Sequence, residues 1–207
     1  MKVAIICEFS GTVRDAFIRA GHNAVSFDLL PSEQPGGHIQ YDAQRFDPDF
    51  WTQFDLAICH PPCTYLTNSG VRWLHTQPGR WEKMREAIEF FKFCLSLDVP
   101  MVAIENPIMH KYAIDGIGAK YTQIIQPWQF GHGETKATCL WLKGLPPLMP
   151  TDIVDGREGK VHKMAPGPDR WRERSRTYKG IAEAMAQQWG SWPEAFETTA
   201  QTQAARG

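Results

Sequence analysis

The sequence contains no long hydrophobic run: nothing approaches the ~18 consecutive apolar positions that a membrane-spanning helix needs. No membrane association is therefore expected. Met1–Cys7 is too short for a secretory signal and runs straight into a strand-like pattern. Charge of one sign is equally absent. The 22 Lys and Arg oppose 23 Asp and Glu, a net charge of -1. That balance excludes a histone-like polycation and leaves any nucleic-acid contact to a local patch. Cysteine is sparse: five residues with 51, 3, 30 and 44 residues between them do not form a disulfide framework. A reducing cytoplasm is the expected compartment. What is present is 43% hydrophobic content, 15 prolines, 17 glycines and eight tryptophans across 207 residues. This describes a loop-rich enzyme with one large core.

Lys2–Cys7 is a continuous apolar run, which predicts a buried parallel strand. After Glu8-Phe-Ser-Gly11, Val13, Ala16, Phe17 and Ala20 share one face of a helix over 12–20, with Gly21 at its C-terminal end. Asn23–Phe27 predicts a second strand ending in Asp28, which completes a βαβ unit. A third strand is expected over 39–43, ending near Asp42. Phe54–Cys59 predicts a strand cut off by His60-Pro-Pro-Cys63. Trp81, Met84, Ile88, Phe91 and Leu95 recur at helical intervals over 80–97. Pro100–Ile104 predicts another buried strand, ending in Glu105-Asn106. A late strand over 138–142 and a last helix over 180–189 complete the reading. The expected fold class is α/β: a single Rossmann-like domain over 1–192, mostly parallel in its sheet and flanked by helices, with a flexible tail at 193–207. Ligands of such sheets gather at the carboxyl ends of the strands. The unusual residues stand at those ends: Glu8–Gly11, Asp28, Asp42, His60–Cys63 and Glu105-Asn106.

Only Gly11 of a three-glycine dinucleotide fingerprint is present. A phosphate cradle is thus weakly supported, whereas a nucleoside-type cofactor needs only the turn and an acid such as Asp28. An ordinary turn with a solvated Asp is the plainer alternative. Cys63 follows two prolines directly after a buried strand, so its thiol is expected in a stiff turn, as a nucleophile requires. Cys7, Cys59, Cys94 and Cys139 lie in apolar elements and fit buried small hydrophobes. No metal is expected at Cys59, His60 and Cys63, because no second ligand pair stands at zinc spacing. Glu105, leaving an apolar strand beside Cys63, is expected to have a raised pKa and to donate a proton near neutral pH; a helix N-cap acid is the plainer alternative. Residues 156–180 hold eight Lys or Arg against three Asp or Glu, a net of +5, with Trp171 and Tyr178 interleaved. This segment is read as a basic loop suited to phosphates and a stacked base, or as a solvated loop facing an acidic surface.

Assembled in this order, these residues resemble the cytosine carbon-5 DNA methyltransferases, and the whole chain resembles small phage and prophage members of that type. Phe9-Ser10-Gly11, followed by Arg14-Asp15-Ala16-Phe17 and Ala20-Gly21-His22, is similar to their cofactor-binding first motif. Pro61-Pro62-Cys63-Thr64-Tyr65-Leu66-Thr67-Asn68-Ser69-Gly70 is similar to their proline-cysteine nucleophile loop, and Glu105-Asn106-Pro107 to their Glu-Asn-Val motif, with Pro in place of Val. The resemblance covers residues 1–110. It implies S-adenosylmethionine as cofactor, held by Glu8, Phe9, Ser10, Gly11, Asp28, Asp42 and Pro61. It further implies Cys63, Glu105 and Asn106 as catalytic groups, DNA as substrate, and the cytoplasm of a bacterial or phage-infected host cell. Lys136 stands where the family has a motif arginine; Arg174 and Arg176 are rival candidates, and Arg172 joins them as a phosphate contact.

A large target-recognition region is missing, so the same chemistry on a free pyrimidine nucleotide is the first alternative. An amino-group methyltransferase fits poorly, because His60 and Cys63 occupy the places of its Asp or Asn and its aromatic residue. A cofactor- or nucleic-acid-binding protein without catalysis is the third reading. The sequence carries no signal for an oligomeric state.

Overall fold

The computed structural model describes residues 1–165, 167 and 170–192; the tail expected at 193–207 lies outside the described residues. Seven strands form one sheet: β1 (Lys2–Ile6), β2 (Asn23–Asp28), β3 (His38–Gln40), β4 (Leu56–Cys59), β5 (Met101–Pro107), β6 (Gln123–Ile125) and β7 (Thr138–Lys143). Their order is β3-β2-β1-β4-β5-β7-β6. The first five run parallel, while β7 is antiparallel to both β5 and β6. This is the expected Rossmann-like α/β class, mostly parallel and flanked by helices.

Strand residues alternate between two cores. Ala4, Ile6, Ala57, Cys59, Val102 and Ile104 face one, together with α2 (Arg80–Ser96) and α3 (Lys111–Ile117). Val3, Ile5, Leu56, Ile58, Met101 and Ala103 face the other, with α1 (Thr12–Arg19) and α6 (Lys179–Gly190). Both faces being covered explains why these strands read as unbroken apolar runs. Helix α1 ends as expected: Gly21, at φ 88°, turns the chain just beyond the capping residue Ala20. Two short helices, α4 (Lys160–Lys163) and α5 (Arg170–Ser175), stand where a basic loop was expected. The third strand is shorter than its reading. It stops at Gln40, and Asp42 instead caps the short 3₁₀ turn Ala43–Arg45 by accepting from the Gln44 N–H. No described helix is long and apolar enough to cross a membrane.

Arg14 on α1 is fully buried, which a charged side chain tolerates only when its donors are met. They are met by Asp15 at 2.8 Å, the hydroxyls of Ser26 and Ser32, and the carbonyls of Gln34 and Pro35. One guanidinium thereby pins the loop between β2 and β3. Arg14→Met is expected to destabilise the protein by about 3 kcal/mol, because the buried acceptors lose a charged donor. Urea unfolding measures it, and a change well below 1 kcal/mol would show the loop to be held by other interactions.

Candidate active site

In the order β2-β1-β4-β5 the connections leave β1 in opposite directions, which opens a crevice between the carboxyl ends of β1 and β4. The crevice begins with an uncommon backbone. Cys7 stands at φ 61°, the one positive value at a non-glycine among the described residues. That conformation costs about 1 kcal/mol or more, and it lets the N–H groups of Cys7 and Glu8 both bond to the Phe27 carbonyl. Glu8 then turns inward and accepts from the Val13 and Arg14 N–H groups at 2.5 and 3.1 Å, capping the start of α1. Burial pushes its carboxyl above the ordinary value, against the opposing pull of His60 and these two donors.

Across the crevice, β4 delivers His60 and the Pro61-Pro62-Cys63 turn. The turn is anchored from several sides. Asn106 Nδ2 donates to the Pro61 carbonyl at 2.8 Å, and Leu66 N–H bonds back to the Cys63 carbonyl. Arg80 donates to the Thr64 carbonyl, and His110 Nε2 lies 3.0 Å from that of Tyr65. Cys63 is partly buried. Burial raises its thiol pKa; the positive charges of Lys136 and Arg174 oppose the shift without cancelling it.

Glu105 emerges from β5 close enough to Cys63 to raise the thiol's pKa further. Its Oε2 lies 3.2 Å from His60 Nδ1 and accepts from Thr177 Oγ1 at 3.2 Å. The expectation of a raised Glu105 pKa is corrected here. Burial does push it up, but His60, Lys136 and the Thr177 hydroxyl together hold it below the ordinary carboxylate value. Glu105 is therefore an ionised carboxylate near neutrality. It also belongs to β5 and caps no helix.

Residues 170–178 of the basic segment lie over this group as a strap. Lys136 Nζ donates to the carbonyls of Arg174 and Arg176 at 3.0 and 3.4 Å, and its charge is felt at His60, Glu105 and Cys63. Arg172 and Arg176 reach instead to Glu33, at 3.4 and 2.8 Å. Trp171, 53% exposed, packs on Phe9 with ring centroids 5.9 Å apart. Of the basic candidates, Lys136 thus acts on both Cys63 and Glu105 and Arg174 on Cys63, while Arg172 and Arg176 are held on the carboxylate of Glu33. The strap leaves a cavity of about 10 Å³ between Cys7, Glu8, Phe9, Ser10, His60 and Thr177, roughly the space of one water.

The chain matches no protein-family model and no curated protein. Its likenesses are to solved structures. A protein assigned as a prophage-encoded DNA modification methyltransferase of E. coli aligns at 14% identity and a TM-score of 0.47, over 74% of this chain and 52% of that one. The Dnmt2 methyltransferase of S. pombe aligns at 15% identity and 0.44, over 79% and 55%. A protein assigned as an NADH-flavin reductase of Streptococcus pneumoniae aligns at 19% identity and 0.32, over 48% and 44%. The chain spans about half the length of each.

The residues assigned to S-adenosylmethionine fit it in part. Asp28, half-buried at the end of β2, presents a carboxylate whose pKa burial raises and which accepts from Leu30 N–H; it has the chemistry that ribose hydroxyls need. Phe9 and Ser10 line the small cavity beside His60. Glu8 is spent on capping α1, and Asp42 on Gln44 and Arg45. Gly11 has φ 72°, and a Cβ there would lie 2.6 Å from Arg14 Nη2, so its glycine is explained by Arg14 rather than by a ligand. Pro61 contributes the carbonyl that Asn106 holds. The sequence reading misses the role of two site residues. His60 is read there among the unusual strand-end residues, in a rejected metal set and as a mismatch to another enzyme class, but is given no catalytic role, although a titratable residue ending a buried strand is a usable signal. Thr177 carries no signal at all.

Proposed function

We propose that this chain is an S-adenosylmethionine-dependent methyltransferase acting on carbon 5 of cytosine, with DNA as the substrate. The observation that carries the reading is Cys63, mounted on a doubly prolyl turn and facing an ionised Glu105 in the crevice, with Lys136 and Arg174 as the nearby cations. Carbon 5 of cytosine is a poor nucleophile. Attack of the Cys63 thiolate on carbon 6 makes it a good one, and Lys136 and Arg174 favour that thiolate. Glu105 is the group that would bond ring nitrogen 3, and Asn106 holds the Pro61 carbonyl of the turn that carries Cys63. S-adenosylmethionine supplies, when bound, an electrophilic methyl group. Asp28 and Phe9 are the groups that would hold its adenosine. In duplex DNA the base must leave the stack, since stacking covers the path to carbon 6. The compartment that suits five free cysteines is a reducing cytoplasm.

One observation favours a smaller substrate, a free cytosine nucleotide: Arg172 and Arg176 are already bound to Glu33, which leaves fewer cations for a phosphate backbone. A single experiment separates the readings. The protein is incubated with methyl-labelled S-adenosylmethionine and, in parallel, duplex DNA, single-stranded DNA and deoxycytidine monophosphate. Label entering cytosine of the duplex is the expected result. Label in the mononucleotide alone would support the smaller substrate. Calorimetry showing no heat with the cofactor or its demethylated product, but tight binding of a dinucleotide, would overturn the cofactor assignment.

A further inference from the structure

His60 is buried to 12% side-chain exposure, yet only its Nδ1 has a partner, Glu105 Oε2. Its Nε2 is buried with no hydrogen-bond partner among the described residues, which is costly for a polar atom unless it has a use. The ring lines the one-water cavity below the strap. The carboxylates of Glu105 and Glu8 and the cation Lys136 act on the ring, and the imidazole in turn acts on the Asp28 carboxylate. The carboxylates outweigh the cation and favour an imidazolium.

We propose that His60 is a positioning residue that supplies, through Glu105, the proton taken up by the pyrimidine ring. The inference rests on the functional reading above. That reading leaves a gap: ring nitrogen 3 must gain a proton when sulfur adds to carbon 6, and Glu105 is ionised. The geometry closes it. As the Cys63 sulfur–carbon 6 bond forms, the carbon 5–carbon 6 π pair moves to carbon 4–carbon 5, and the carbon 4–nitrogen 3 π pair moves onto nitrogen 3. Nitrogen 3 takes a proton from the Glu105 carboxyl, and Glu105 takes one from His60 Nδ1. His60 becomes neutral. After methyl transfer, carbon 5 loses its proton to water, the carbon 5–carbon 6 double bond re-forms as the thiolate is expelled, and nitrogen 3 returns its own proton through Glu105 to His60. The unpartnered Nε2, on a residue that lines a space for one water, gives the ring its exchange route with solvent.

Burial alone would lower the His60 pKa, but the hydrogen bond and charge of Glu105, with Glu8, raise it above 6.5. Glu105 is held below 4.5. The imidazolium–carboxylate pair is therefore complete between these values. It is lost as pH rises through the His60 value, and lost again as pH falls through the Glu105 value. Two measurements test the role. Histidine NMR titration of the free protein, needing no substrate, should show one imidazole titrating above its ordinary value, and that value should fall in Glu105→Gln. Turnover on cytosine duplex should decline at alkaline pH in wild type. His60→Asn, which keeps a donor toward Glu105 but no transferable proton, should lower kcat roughly a hundredfold with little change in KM, and should abolish the alkaline limb. His60→Gln, keeping an amide of different reach, should behave alike. Full kcat with an unchanged alkaline limb in His60→Asn, or a titration indifferent to Glu105→Gln, would overturn the proposal. If wild type transfers no methyl group to any substrate, the functional reading fails, and the titration still decides whether His60 and Glu105 share the proton.

Discussion

Cys63→Ser is expected to fold normally and to lose turnover by about three orders of magnitude or more, the scale seen when a covalent nucleophile is removed. The side chains differ little in size, and the turn is held by backbone bonds that the change does not touch. What changes is the anion, since an alkoxide is far harder to form than a thiolate. A trapping experiment separates this role from a structural one. Cytosine carrying fluorine at carbon 5 should give a covalent adduct through Cys63, because fluorine cannot leave as a proton does. Trapping that persists in Cys63→Ser, or full methylation by that variant, would return Cys63 to an ordinary strand-end residue.

The second large effect concerns the strap, where two changes should act in opposite directions. Replacing Arg172, Arg174 and Arg176 by Ala should make duplex binding less salt-dependent, the log–log slope becoming shallower by about 0.9 for each phosphate that is no longer neutralised. Glu33→Gln should instead tighten binding, since Glu33 now occupies two of those arginines. The gain is modest, about 1 kcal/mol or roughly fivefold, because the pairs are partly solvated. Filter binding across a salt series measures both. Identical slopes for wild type and the triple variant would make the segment solvated surface, and a substrate of one nucleotide would give a shallow slope from the outset.

Much of this arrangement is legible in the residues. The strands β1, β4 and β5 are buried on both faces, so their apolar runs are unbroken, and α2 shows its buried stripe at Met84, Ile88 and Phe91. The groups at the strand ends, Glu8, Asp28, Cys63 and Glu105, stand out because charge or thiol interrupts apolar sequence there. β6 escapes such a reading because Gln123–Ile125 is three residues long, with Ile124 exposed at a sheet edge. The reversal of β7 is invisible because composition carries no strand direction. The helix α5 hides in a run of arginines with no buried face. Glu105 misleads for a related reason. Burial can be guessed from neighbours in sequence, but the partners that reverse its effect, His60, Lys136 and Thr177, come from three other parts of the chain.

Arg14, buried beneath the loop between β2 and β3, has a consequence well away from itself. It grips the Ser32 hydroxyl and the carbonyls of Gln34 and Pro35. Between them stands Glu33, whose N–H bonds the Phe9 carbonyl and whose carboxylate receives Arg172 and Arg176. The docking place of the strap is thus set from inside the core. Thermodynamic linkage makes such a connection symmetrical. Whatever draws the strap off Glu33 weakens the hold of the core on that loop, and whatever stiffens the loop holds the strap down. The coupling read from a double-mutant cycle of Arg14→Met with Arg176→Ala must be the same whichever residue is changed first. Access to the crevice is in this way a property of the hydrophobic interior as much as of the charged rim.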